Sequence, residues 1–244
     1  WVLKMPLGHL VDLIWRQKAI LVYIGAGLIA LSMGIMYGII AHTEVMNEFL
    51  KIEAWFVIAS LLSPTGYVVQ DVVADAMTVE AVPTIDEQGD PYPNNEIKMM
   101  HTTMQTLGRI AIIGGLIIVS LLNITMFKGV EDMSEDMKIS IYGDIYLMAL
   151  IIPVISIVGV ILAAYLFKRR ARELYRQGYN TENIDKMLFA PTGETRPNWW
   201  ILGGSLIFAA FTLIMGISEM PLAQEIIFIG SMGIVLFVMY RLLL

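Results

Sequence analysis

Apolar residues in this chain fall in long, nearly unbroken runs rather than in the narrow stripes of soluble amphipathic helices. Runs at about 19–41, 52–77, 99–125, 141–167, 199–217 and 221–240 alternate with short polar stretches. A bilayer core ~30 Å thick is crossed by roughly 20 apolar residues in a helix, so each run predicts one spanning helix. The pattern therefore predicts an all-α polytopic membrane protein with about six full spans. Trp1–Leu3 reads as the tail of an earlier apolar helix, and 240–244 runs on without a stop signal. The expectation is a middle portion of a longer polypeptide. The hydrophilic stretch 168–198 divides it into a first helical bundle, 1–167, and the start of a second, 199–244.

Composition sharpens the class. Of 244 residues, 57% are hydrophobic and 16% charged, against roughly 25% charged in soluble domains. Mean hydropathy is +0.69, and there is no cysteine for thiol chemistry or disulfides. The net charge of −6 conceals a segregation. Twelve of the sixteen Lys and Arg residues fall in 1–18, 78–98, 168–198 and 241–244, three (Lys51, Lys128, Lys138) fall in the opposite loops, and Arg109 lies within a span. Because basic residues favour the cytoplasmic side, 1–18, 78–98 and 168–198 are expected in the cytoplasm and the acidic loop Glu131–Asp136 outside. The Lys168–Arg172 run is expected to serve as a topology anchor, attracted to anionic headgroups at ~1 kcal/mol per basic residue. It does not imply nucleic acid.

The most informative polar residues lie inside apolar runs. In Gln70-Asp71-Val72-Val73-Ala74-Asp75, the i, i+4 spacing puts both carboxylates on one helix face. A carboxylate at mid-bilayer costs ~2.5–3.5 kcal/mol, which disfavours a lipid-facing position. Two readings stay open, a solute or proton site and a buried structural ion pair. In the next span His101, Gln105 and Arg109 recur at the same spacing. With 1.5 Å of rise per residue, Asp71 and Arg109 each lie ~15 Å from the cytoplasmic end of their helices. The expectation is an Asp71–Arg109 pair, with Asp75 near Gln105 and Glu80 near His101. An Asp75 left without a cation could carry a proton. Elsewhere, Gly34/Gly38, Gly114/Gly115, Gly203/Gly204 and Gly230/Gly233 are expected to pack helices, and His9 and His42 to sit at the interface.

Ahead of the first complete span, Gly8, Leu10, Asp12, Arg16 and Lys18 are spaced as G-x-L-x-D-x-x-x-R-x-K. Here a compact cytoplasmic turn between two helices is expected. This stretch resembles the loop between helices two and three of major facilitator superfamily transporters, with Leu13 and Trp15 departing from the usual pattern. The Q-D-x-x-x-D-A-x-x-x-E spacing of Gln70, Asp71, Asp75, Ala76 and Glu80, followed by Leu107-Gly108-Arg109, is similar to the branch that includes muropeptide permeases, acetyl-CoA transporters and folate–biopterin transporters. On that resemblance the chain runs from the end of helix two to helix eight of twelve. The fold implied is an incomplete facilitator-type helical bundle.

The resemblance implies a secondary transporter of the bacterial inner membrane, moving a polar, anionic organic solute by alternating access with proton coupling and without a cofactor. Asp71, Asp75, Arg109, Gln70, Gln105 and His101 would form the solute or proton site, and Gly8, Asp12, Arg16 and Lys18 the gate. The alternative is a transporter-like accessory or assembly subunit of a larger membrane complex, a role that some facilitator relatives take in pigment-complex assembly. Enzyme readings find little support. There is no H-E-x-x-H motif, metal-ligand cluster or Gly-rich phosphate loop, and two aspartates on one helix turn do not suit an aspartic protease.

Overall fold

The computed structural model describes residues 4–14, 17–83, 86, 90–188, 197–217 and 222–243, and among these the chain is all-helical with no strand. Ten α-helices follow in order: α1 (Lys4–Leu13), α2 (Lys18–Ala41), α3 (Thr43–Phe49), α4 (Ile52–Glu80), α5 (Asn94–Met126), α6 (Glu135–Ala149), α7 (Ile151–Arg176), α8 (Thr181–Leu188), α9 (Trp199–Ile217) and α10 (Ala223–Leu243). Among the described residues five stretches are long and apolar enough to cross a bilayer: Lys18–Ala41, Ile52–Val79, Asn94–Asp132, Met137–Arg176 and Ala223–Arg241. A shorter apolar stretch, Trp199–Thr212, lies in α9. An integral membrane protein follows from these lengths, with five long candidates where the apolar runs predict six.

Helix α2 is the hub. Its buried residues Val22, Gly25, Ala26, Ile29, Ser32 and Ile35 recur every three or four positions, and α4, α6 and α7 all pack on it. Its closest approach is to α4, where a Cβ on Gly25 would lie 2.8 Å from the Gly66 carbonyl oxygen and one on Gly66 2.6 Å from that of Gly25. The two backbones touch only because neither position carries a side chain. Further along this seam the Ser32 hydroxyl donates to the Ala59 carbonyl at 2.7 Å. The expected small-residue pairs divide: Cβ atoms on Gly34, Gly114, Gly115, Gly203 and Gly233 would meet nothing within 4 Å, whereas one on Gly38 would lie 3.3 Å from the Met46 sulfur and one on Gly230 2.7 Å from the Phe211 ring.

Proline acts differently in two helices. Pro64 sits inside a continuous α4. Pro153 lies three residues after the junction of α6 and α7 at Leu150. It has no N–H for the Ala149 carbonyl, and its ring crowds that group. The chain tightens there, the Leu150 N–H donating to the Leu147 carbonyl at 3.2 Å. The single run 141–167 is thus built as two helices in series.

Helix α1 lies against α4 and α9. Val11, Val22, Val72 and Val73 form the apolar core at the meeting of α1, α2 and α4, with Leu7 and Val68 beside them. The expected cytoplasmic turn begins later than predicted: Gly8 and Asp12 are helical, within α1. His9, expected at the interface, is buried. Its Nε2 accepts from the Asn198 N–H at 2.9 Å. Asn198 in turn caps α9, its Oδ1 accepting from the N–H groups of Trp200 (3.0 Å) and Ile201 (3.3 Å), the usual way to satisfy orphan donors at a helix start. The described residues of the linker are largely helical, the first nine prolonging α7 and a further part forming α8.

Candidate functional site: an ion cluster between two helices

The charges on α4 are met from α1. The Lys4 ammonium donates to Asp71 Oδ2 and to Asp75 Oδ2, each at 2.8 Å. The i, i+4 spacing makes this possible, because it sets the two carboxylates one above the other on the face that α1 covers. The levels agree as well. Lys4 and Asp71 each stand nine residues, or ~14 Å, before the last residue of their helix. Directly beneath, Val72 and Val73 are buried in the shared core, which fixes the rotation of α4.

The two acids differ in exposure, Asp71 at 27% of its side chain and Asp75 at 64%. One ammonium faces two carboxylates, so the cluster carries a net charge of −1 when both acids are ionised. Asp75 is the more open of the two to solvent. Chemically the arrangement can hold a proton or a cationic group at Asp75 while Lys4 keeps Asp71 compensated.

The expected Asp71–Arg109 pair is not formed. Among the described residues Asp71 and Asp75 are paired with Lys4, while Arg109 and Gln105 are exposed on α5 and His101 is half-buried. The physical reason lies in packing. Helix α5 meets the bundle sparsely, along α4, and no residue of it is buried. The ammonium on the tightly packed α1 compensates the acids instead. Glu80 near His101 cannot be placed, since the Glu80 side chain lies outside the described residues.

Gln70 takes a bridging role. Its Nε2 donates to the Val22 carbonyl at 3.2 Å, and its Oε1 accepts from the Ser156 hydroxyl at 3.4 Å. Both ends of the amide tie α2, α4 and α7 together, one residue from Asp71.

The gate residues are dispersed. Gly8 faces α4, where a Cβ would lie 4.0 Å from Val72 Cγ1. Asp12 is exposed, Lys18 is buried at the start of α2, and Arg16 lies outside the described residues. Among the described residues no group of three His, Asp or Glu side chains could hold a metal ion.

Lys4 was counted from the sequence among the cytoplasmic anchors, and it is the residue that sequence reasoning missed. The signal was present. Had α1 been continued to Leu13, the same rise-per-residue estimate that matched Asp71 to Arg109 would have matched it to Lys4. No protein-family model, curated protein or solved structure matches this chain.

Proposed function

We propose that this protein is a secondary transporter of the major facilitator type, moving a polar, anionic organic solute by alternating access with proton coupling. The observation that carries the reading is the Lys4–Asp71–Asp75 cluster, in which one cation on α1 faces two acids on α4. Ionisable groups set within spanning helices are costly and mark proton or solute paths. In this reading Asp75 takes up and releases the coupling proton. Lys4 holds Asp71 throughout and exchanges its bond to Asp75 for one to the solute. Arg109, not being held by Asp71, stays available to an anionic group. Gln105 and His101 lie on the same face of α5, and Gln70 keeps the acid-bearing turn of α4 fixed against α2 and α7.

The test uses proteoliposomes holding a pH-sensitive dye, given an inward proton gradient and a panel of carboxylates, folates and amino-sugar peptides. Solute-dependent proton entry is expected for one class, and it should fall at least about a hundredfold in Asp75→Asn, the low end of what a positioned proton-transfer group contributes. Proton entry unchanged in Asp75→Asn and Lys4→Gln would overturn the assignment of roles.

A second reading, an accessory subunit of a larger membrane complex, is favoured by one observation. Helix α5 buries none of its residues although it carries Gln105 and Arg109, as a helix awaiting a neighbouring subunit would. Purification in fixed stoichiometry with other subunits, together with no solute-dependent proton entry, would favour it.

A further inference from the structure

Helix α7 continues well past its apolar part. Residues 151–167 are ~25 Å of apolar helix, and 168–176 add ~14 Å without a break. A headgroup layer is only ~5–8 Å deep on each side, so this extension passes through it. Its five cations divide into two sets. Arg169 Nε and Arg170 Nη1 both reach Glu173, at 3.2 and 3.6 Å, so a single acid serves both. Lys168, Arg172 and Arg176 follow one another at i, i+4 and i+8 and therefore form one row. All three are exposed, and among the described residues none makes an ion pair.

Two features orient the row. Tyr165 falls in line with it at the end of the apolar stretch and is 60% exposed, where interfacial aromatics sit. On the opposite side of the helix Leu174 is buried. There the chain turns back at Gly178, which has φ +95°, and the Tyr179 N–H donates to the Leu174 carbonyl at 3.2 Å. That closure ends α7 and sends the chain into α8, which packs on α7. The folded-back segment thus takes one side of α7 and leaves the cationic row open.

We propose that the row Lys168–Arg172–Arg176 is a binding surface for the phosphodiester headgroups of anionic lipids in the adjoining leaflet. Three unneutralised cations running from the end of the apolar stretch into and just past the headgroup layer, on side chains long enough to reach back to it, complement phosphates in charge, and guanidinium groups bind phosphate oxygens in pairs. Arg169 and Arg170, already engaged by Glu173, contribute little. This proposal is independent of any transported solute.

The chain has no cysteine, so a single Tyr175→Cys beside the row can carry a donor fluorophore in the otherwise unaltered chain. The protein is reconstituted in phosphatidylcholine vesicles holding a trace of acceptor-labelled phosphatidylglycerol or, in parallel, acceptor-labelled phosphatidylcholine. Energy transfer should show phosphatidylglycerol enriched about fivefold near the label. The enrichment should fall to parity in Lys168→Gln/Arg172→Gln/Arg176→Gln and persist in Arg169→Gln/Arg170→Gln/Glu173→Gln. If the first triple variant does not reconstitute, Arg172→Gln alone should give a partial loss. Parity in the labelled parent, enrichment surviving in the row variants, or equal loss in both triples would overturn the proposal. So would displacement of the labelled lipid by inorganic phosphate at constant ionic strength, which would assign the row to a free anion.

Discussion

A single side chain changes the electrostatics of this bundle. Lys4 on α1 compensates two carboxylates of α4 at 2.8 Å each. With Asp71 27% exposed and Asp75 64% exposed, the two acids cannot be equivalent, since the attraction to one ammonium is screened more at the open site. His9 shows the same economy with a neutral group. Its Nε2 accepts the Asn198 N–H, so the ring is in the tautomer with its proton on Nδ1. That bond fixes the residue whose side chain then caps two donors of α9. Asn198→Ala should therefore lower stability by ~0.5–2 kcal/mol, read as a fall in the detergent melting temperature. Asn198→Asp should keep most of it, because a carboxylate also accepts from helix N-terminal N–H groups.

Among the elements, the contact of α2 with α4 is the tightest constraint. Gly66→Ala would push a methyl group within 2.6 Å of a backbone oxygen on α2, and overpacking of this kind costs ~1–3 kcal/mol. Thermal unfolding should show that loss, whereas Gly114→Ala, which meets nothing within 4 Å, should be neutral. The contrast also shows what the sequence could convey. Helix positions were legible because runs of twenty apolar residues admit few other structures in lipid. Which glycines touch was not legible: a small-residue spacing recurs in several helices, and only the mutual rotation of α2 and α4 selects Gly25 and Gly66. The break at Leu150 was half legible, since Pro153 signals either a kink or ordinary curvature. The stripe of His101, Gln105 and Arg109 was correctly seen as one face of a helix, but helical periodicity does not say which neighbour that face meets.

At the scale of the whole molecule, the acids of α4 were recognisable as needing a cation, but which of the depth-matched cations supplies it was not. Depth along two helices can be estimated from the sequence, but adjacency in the bundle cannot, and α1 lies closer to α4 than α5 does. Placing Lys4 beside the acids also removes it from the cytoplasmic tally. Eleven of the original twelve then stand against three, so the expected orientation is preserved. The absence of native cysteine makes that orientation directly testable. Single cysteines at Gln177 and at Asp132 should react with a membrane-impermeant maleimide from opposite sides in right-side-out and inverted vesicles, Gln177 only when the cytoplasmic face is accessible. Labelling of both from one side would refute the arrangement of helices between them.

The claim on which the account most depends is that Lys4, rather than Arg109, holds the acids of α4. Double-mutant cycles on unfolding stability measure this directly in the purified protein. Lys4→Met and Asp71→Asn should be non-additive by ~0.5–3 kcal/mol, as residues sharing an ion pair are, while Arg109→Gln and Asp71→Asn should add within ~0.3–0.5 kcal/mol. Additivity of the Lys4 pair together with strong coupling of the Arg109 pair would contradict the account.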